Sequence, residues 1–139
     1  MFIGNVMSSD IQLLKSHHLT VTPQRLEIVN LFSSYGHLDI DTLYMLLQKN
    51  FPSLSLATVY KNVNLMLEKN FISEVQLENK KNVYELIKQA HSHVVCVQCN
   101  AILDIFLDTQ ILFEEVTKIS HFHLETSNIV FNGVCSECQ

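Results

Sequence analysis

Two C-x-x-C pairs set the tightest limit on how this chain can fold. Cys96 and Cys99 close the run His91–Cys99, HSHVVCVQC, while Cys135 and Cys138 form CSEC at the end, and together they use all four cysteines. The 35 residues between Cys99 and Cys135 must fold back so that the pairs meet. Four thiolates at this spacing describe a closed tetrahedral zinc site, with disulfides or idle thiols as the competing assignments. Valines at 94, 95 and 97 favour a strand ahead of the first pair. Strand alternation would then put His91 and His93 on one side. The opening MFIGNVMSSD lacks a basic n-region and an A-x-A-like cleavage site, so no signal peptide is expected. A cytosolic setting is expected, where paired cysteines hold metal more often than they form disulfides. No apolar run approaches the roughly 20 residues of a membrane span, so no membrane partner is expected.

A length of 139 residues allows one domain or two small ones, and 47% apolar residues suffice for an ordinary core. The net charge of −5 at first argues against a nucleic-acid partner. The charge is uneven, however. Residues 1–85 carry seven basic against eight acidic side chains, and residues 86–139 carry two against six. The first half is therefore near neutral and able to present a local basic face.

Taken in order, Ser8 or Ser9 is placed to cap a short first helix with Ile11, Leu14 and Val6 on its apolar stripe. Thr22-Pro23 starts a second helix, in which Leu26, Val29 and Phe32 share a face widened by Ile28 and Leu31, and Tyr35-Gly36 ends it. Asp39 caps a third helix with Leu43, Leu46 and Leu47, stopped at Phe51-Pro52. Ser55 caps a fourth, with Leu56, Val59, Val63 and Met66 inward and Thr58, Lys61, Asn62 and Lys69 outward. Strand-like Phe71–Leu77 and Val83–Ile87 flank the polar turn Glu78–Asn82, whose tip carries Lys80 and Lys81. Three helices and then a hairpin is the order of a winged helix-turn-helix, in which the last helix enters the major groove and the hairpin lies on the backbone. A solvated helix face is the plainer reading of the same polar residues. Lys88-Gln89-Ala90 is the expected hinge. Beyond it come strands at 91–96 and 101–106, a helix capped by Asp108 with Ile111, Leu112, Val116 and Ile119, and a last strand at 129–131.

The strings LTVTPQR (Leu19–Arg25), LATVYKN (Leu56–Asn62), VYEL (Val83–Leu86), HSHVVCVQC and GVCSEC (Gly133–Cys138) together resemble the ferric-uptake-regulator (Fur) superfamily of bacterial metal-dependent repressors, across residues 17–138. The resemblance implies an α+β fold. Residues 1–87 form an N-terminal winged helix-turn-helix DNA-binding domain, and residues 88–139 a small α/β dimerisation and metal-binding domain with an antiparallel sheet. It implies structural Zn(2+) on Cys96, Cys99, Cys135 and Cys138. It further implies a regulatory site at His37, Glu85, His91, His93 and Asp104, whose mixed nitrogen and oxygen donors suit Fe(2+) or Mn(2+) as well as zinc. The residues lend that site support: Asp104 is an inward carboxylate between Leu103 and Ile105, which needs a partner, and Glu85 stands in an apolar strand. For DNA the reading names Arg25, Thr58, Tyr60, Lys61, Lys80 and Lys81, with Tyr60 named by resemblance.

A further metal site of some relatives uses positions held here by Ala90 and Ser92, so it is expected to be absent. His121 stands where glycine is usual, and His121 and His123 read as ordinary residues. His17 and His18 are expected near DNA or solvent. The strings and ligand spacing look most like the peroxide-responsive repressor branch. Glu85 points the other way, since peroxide sensors of the superfamily tend to carry Asp there and iron sensors Glu. The function implied is a homodimeric repressor, not an enzyme, that binds a pseudo-palindromic, AT-rich double-stranded operator and senses oxidative stress. The alternative is an Fe(2+)-dependent iron-uptake repressor. A zinc-ribbon interaction module leaves residues 1–85 unexplained. A redox C-x-x-C enzyme lacks the surrounding βαβ pattern, and a hydrolase lacks a separate general base.

Overall fold

The computed structural model describes residues 2–139, with side chains from residue 8 onward. The chain divides into two compact units, Met1–Lys88 and Gln89–Gln139. The first contains helices α1 (Phe2–Ser16), α2 (Pro23–Tyr35), α3 (Ile40–Gln48) and α4 (Leu56–Glu68), then strands β1 (Ile72–Val75) and β2 (Val83–Leu86). The second contains β3 (Ser92–Cys96), β4 (Ile102–Ile105), α5 (Gln110–Ser120) and β5 (Val130–Gly133).

Local signals start and stop α2, α3 and α4. Thr22, Asp39 and Ser55 each accept a hydrogen bond from the backbone N–H three residues on, which satisfies a donor that the first helical turn leaves open. Pro23 follows Thr22 at the first helical position, where its missing N–H costs nothing. Gly36 ends α2 at φ 79°, a conformation that favours glycine. The first helix differs from expectation. It begins at Phe2, so Ser8 and Ser9 lie inside it and cap nothing. Leu14 is buried there, whereas Val6 falls outside the described side chains.

The described residues of the first unit share an apolar core. It joins Leu14 and Leu19 to Ile28, Val29, Leu31 and Phe32 of α2, to Leu43, Leu46 and Leu47 of α3, and to Val59, Val63 and Met66 of α4. The α4 stripe follows the 3–4 spacing read from the sequence, except that Leu56 at its first turn stays exposed. Strands β1 and β2 pair antiparallel, Ile72 opposite Leu86 and Val75 opposite Val83. Leu38 adds a single β-bridge to Tyr84, through Leu38 N–H to Tyr84 C=O at 3.1 Å and the reverse bond at 2.8 Å. His17 packs its ring edge-on against Phe71 at 5.1 Å and is half-buried, while His18 is exposed at φ 59°.

In the second unit β3 is the middle strand, antiparallel to β4 and parallel to β5. The expectation of a wholly antiparallel sheet is thus corrected: the long connection through α5 returns the chain in the same direction as β3, as a helical crossover allows. Asp108 accepts from the Gln110 N–H at 3.1 Å, but the residue in the capping position of α5 is Thr109, whose side chain makes no cap bond. No described residue of α5 is buried within the chain, and its apolar side chains, Ile111 and Ile119 foremost, are exposed.

Candidate metal centres

The parallel pairing of β3 with β5 is what assembles the cysteines. Parallel strands end at the same edge, and a C-x-x-C pair lies at the end of each. Cys96 pairs with Gly133, two residues ahead of Cys135. The first pair turns tightly, Asn100 N–H donating to Cys96 C=O at 2.9 Å, with Asn100 at φ 66°. The second turns through Cys138 N–H to Cys135 C=O at 3.0 Å. The four sulfurs lie within 4.8 Å of one another, and all four thiols are free. A tetrahedral zinc about 2.3 Å from each sulfur sets adjacent sulfurs about 3.8 Å apart. Cys99 and Cys135 stand at 3.8 Å, so the donors fit that ion. Backbone N–H groups, that of Cys135 first at 3.4 Å and then that of Cys99, hold the Cys96 thiol down to about 6. Cys138 is pushed up to about 12, first by its bond with the Cys135 side chain and then by burial.

Three other expected ligands meet in the second unit. Antiparallel register places His93 directly opposite Asp104. His93 Nε2 lies 3.4 Å and His91 Nε2 3.6 Å from the same Asp104 oxygen, and the two rings meet edge-on at 4.6 Å. His91 and His93 thus share a side, as alternation requires. His91 Nδ1 lies 2.8 Å from the Gln89 carbonyl oxygen. A carbonyl only accepts, so Nδ1 carries a proton, and Nε2 is the ring atom left to act as a metal ligand. The remaining two expected ligands lie in the first unit, where His37 Nε2 stands 2.8 Å from Glu85 Oε2. Both are one residue from the Leu38–Tyr84 bridge, which fixes their register. Glu85 is buried, and its anionic form accordingly needs this partner or a cation. These imidazole and carboxylate donors suit a divalent ion of intermediate hardness.

The residues expected at DNA are disposed unevenly. Tyr60 and Lys61 are exposed on α4, with Thr58, whose Oγ1 lies 3.0 Å from Ser55 Oγ. Lys80 and Lys81 stand in the β1–β2 loop, and Lys81 is ion-paired with Asp41 of α3. Arg25 turns inward, donating to Asn62 Oδ1 at 3.0 Å and to the Thr20 carbonyl at 2.8 Å. Asp41 and the Gln89 carbonyl were not singled out in the sequence. Neither carries a motif, and any residue supplies a carbonyl.

A winged unit of four helices and a hairpin, followed by a small sheet unit bearing a four-cysteine cluster, defines a metalloregulator architecture. The model of the Ferric uptake regulator family matches residues 16–132, and the chain belongs to that family. The peroxide operon regulator of Bacillus subtilis is 31% identical over 135 residues, covering 92% of this chain and 90% of its own. The solved Campylobacter jejuni peroxide stress regulator is 34% identical with a TM-score of 0.69, covering 92% and 98%. The Vibrio cholerae ferric uptake regulator is 27% identical with a TM-score of 0.72, covering 90% and 98%.

Proposed function

We propose that this chain is a bacterial, cytoplasmic, metal-dependent transcriptional repressor that senses peroxide through a regulatory Fe(2+) or Mn(2+) site. Residues 1–87 serve as the DNA-binding domain and residues 88–139 as the dimerisation and metal-binding domain. The observation that carries the reading is the His37–Glu85 pair, because it brings together two donors of a mixed ligand set, one on β2 and one beside the Leu38–Tyr84 bridge. His91, His93 and Asp104 supply the other three. His37 and Glu85 are the ligands assigned to the first unit, so a metal that requires all five donors favours whichever state unites them. That state sets the spacing of two α4 helices on a two-fold operator. The similarity to regulators named for peroxide supports the sensing role. Iron held by these residues would supply one-electron reduction of peroxide, and the imidazoles of His37 and His91 would be the ligands open to oxidation.

A second copy of the chain is the partner that the sheet unit needs. In 51 residues, Gln89–Gln139, its buried residues among those described are only Ser92, His93, Val95 and Cys96. A unit so small with so thin a core needs metal or oligomerisation to fold. Leu103, Phe106, Ile111, Ile119 and Phe131 form exposed apolar surface for a homodimer to cover. Zinc on the four cysteines supplies the second staple.

Thr58, Tyr60, Lys61, Lys80 and Lys81 are the residues this reading assigns to the duplex. The deciding experiment is retardation of a palindromic AT-rich duplex with and without Mn(2+). Metal-dependent retardation supports repression through this site, and its absence at every metal tested abandons it. Glu85 favours a second reading, iron-dependent repression without peroxide sensing. A carboxylate of that length can chelate through both oxygens and fill the position that peroxide needs.

A further inference from the structure

Arg25 and Asn62 form a polar clamp between the start of α2 and the outward side of α4. The Arg25 backbone N–H donates to Thr22 Oγ1 at 3.2 Å, its Nε to Asn62 Oδ1 at 3.0 Å and its Nη1 to the Thr20 carbonyl at 2.8 Å. Asn62 donates in turn from Nδ2 to the Thr58 carbonyl at 3.2 Å. The amide orientation is determined from both ends. A guanidinium only donates, so it must face the amide oxygen, and a carbonyl only accepts, so it must face the amide nitrogen.

This arrangement ties part of each side chain's hydrogen-bonding capacity to the protein. Asparagine reads adenine with its oxygen and nitrogen together, and both are engaged. Arginine grips guanine or phosphate along an edge of its fork. Each such edge includes Nε or Nη1, and both atoms already hold protein acceptors. The clamp has a different use. The buried side of α4 is the stripe Val59, Val63 and Met66. Packing of that stripe sets the roll of the helix within the scatter that ridges and grooves allow, and a directional hydrogen bond narrows it. Tyr60 and Lys61 neighbour this stripe, so a small roll of α4 displaces both.

We propose that Arg25 is a positioning residue which, through Asn62, fixes the roll of α4 and thereby sets the operator preference carried by Tyr60. This rests on the reading of the first unit as DNA-binding. It can be tested on the full-length, metal-loaded protein. Wild type first selects duplexes from a randomised pool with Mn(2+). Affinities for the selected duplex and for a scrambled one are then measured over a range of salt for wild type, Arg25→Ala, Asn62→Ala and the double variant. Each single variant should lose about tenfold in the ratio of selected to scrambled binding, on the scale of one mismatched base pair. The double variant should lose no more than either single one, as coupled partners do. The salt slope of Arg25→Ala should stay at the wild-type value. Asn62 is only partly buried and its truncation removes fewer atoms, so its variant keeps the test open if Arg25→Ala does not fold. A slope lowered by about 0.9 in Arg25→Ala means that Arg25 binds phosphate directly and overturns the proposal. An unchanged ratio in Asn62→Ala overturns it as well, as does an equal loss on both duplexes, which marks a merely structural role. If wild type selects no sequence at all, the DNA-binding reading itself fails.

Discussion

His37 Nε2 stands 2.8 Å from Glu85 Oε2, one residue away from the β-bridge between Leu38 and Tyr84. The bridge is backbone, so it holds these two side chains opposite each other whether or not an ion is present. His37 is the only expected ligand drawn from the helical part of the first unit. His37→Ala should therefore leave metal binding weakened but present, and should uncouple it from DNA. A ligand with equal affinity for two states shifts neither. The variant should still fold but with a lower Tm, since buried Glu85 loses a partner, while Mn(2+) should no longer improve retardation of the duplex. Normal metal-dependent retardation by His37→Ala would rule out bridging.

Glu85→Asp tests which stimulus is sensed. Removing one methylene withdraws a carboxylate oxygen and opens a coordination position. Fe(2+)-loaded wild type and variant can be given a peroxide pulse and their histidine peptides weighed for one added oxygen. Rapid oxidation of wild type supports peroxide sensing despite Glu85. Reaction of the variant alone moves the function to iron sensing. If neither reacts, peroxide sensing through this site is wrong. Manganese-loaded protein should not react in either form.

The two wing lysines should behave differently. Lys80→Ala should flatten the salt dependence of DNA binding by a slope of roughly 0.9, the effect of one fewer phosphate neutralised. Lys81 is ion-paired with Asp41. Asp41→Asn should therefore release Lys81 toward phosphate and steepen the slope, at a stability cost of about 1 kcal/mol or less for an exposed pair. The measurement is log affinity against log salt concentration. A flatter slope in Asp41→Asn would show that the pair orders the wing for binding.

Zinc should bind at one ion per chain and resist mild chelators, and Cys96→Ser should give unfolded or monomeric protein. Proton release adds a finer test. Cys96 is held down to about 6 by backbone N–H groups, so before zinc arrives it is mostly thiolate at pH 7 and thiol at pH 5. Cys138, pushed up to about 12, is thiol at both. In sign, the stabilisation linked to the depressed Cys96 is present at alkaline pH and is lost as pH falls through about 6. Zinc uptake by the reduced metal-free chain should thus release close to one proton more at pH 5 than at pH 7. Calorimetry in buffers of different ionisation enthalpy counts them. Equal counts would mean that the knuckles form only with the metal.

His121 ends α5 in the left-handed region at φ 61°, its N–H donating to the Thr117 carbonyl at 2.8 Å. A side chain is strained there and glycine is not. His121→Gly should stabilise the protein by about 0.5–1 kcal/mol, a rise in Tm of about 2–4 °C. A lower Tm would show that the imidazole makes a stabilising interaction, in the dimer for example.

Local chemistry alone was enough to determine much of this protein. Thr22-Pro23, Asp39 and Ser55 start helices because a cap needs only a side chain and an N–H three residues away. The stripe of Val59, Val63 and Met66 and the C-x-x-C turns are equally short-range. The same limit explains where the sequence misled. Ser8 and Ser9 have the chemistry of caps, yet the helix runs through them from Phe2. The tertiary structure decided everything that joins distant segments. It set β5 parallel to β3, and only that direction brings Cys135 and Cys138 to the edge where Cys96 and Cys99 lie. It paired Leu38 with Tyr84, so that His37 meets Glu85 across 48 positions of sequence. It turned Arg25 inward to Asn62, 37 positions away. Composition and spacing name the donor atoms. Strand direction and register, settled by the pairing of backbone groups far apart in the chain, decide which of them meet.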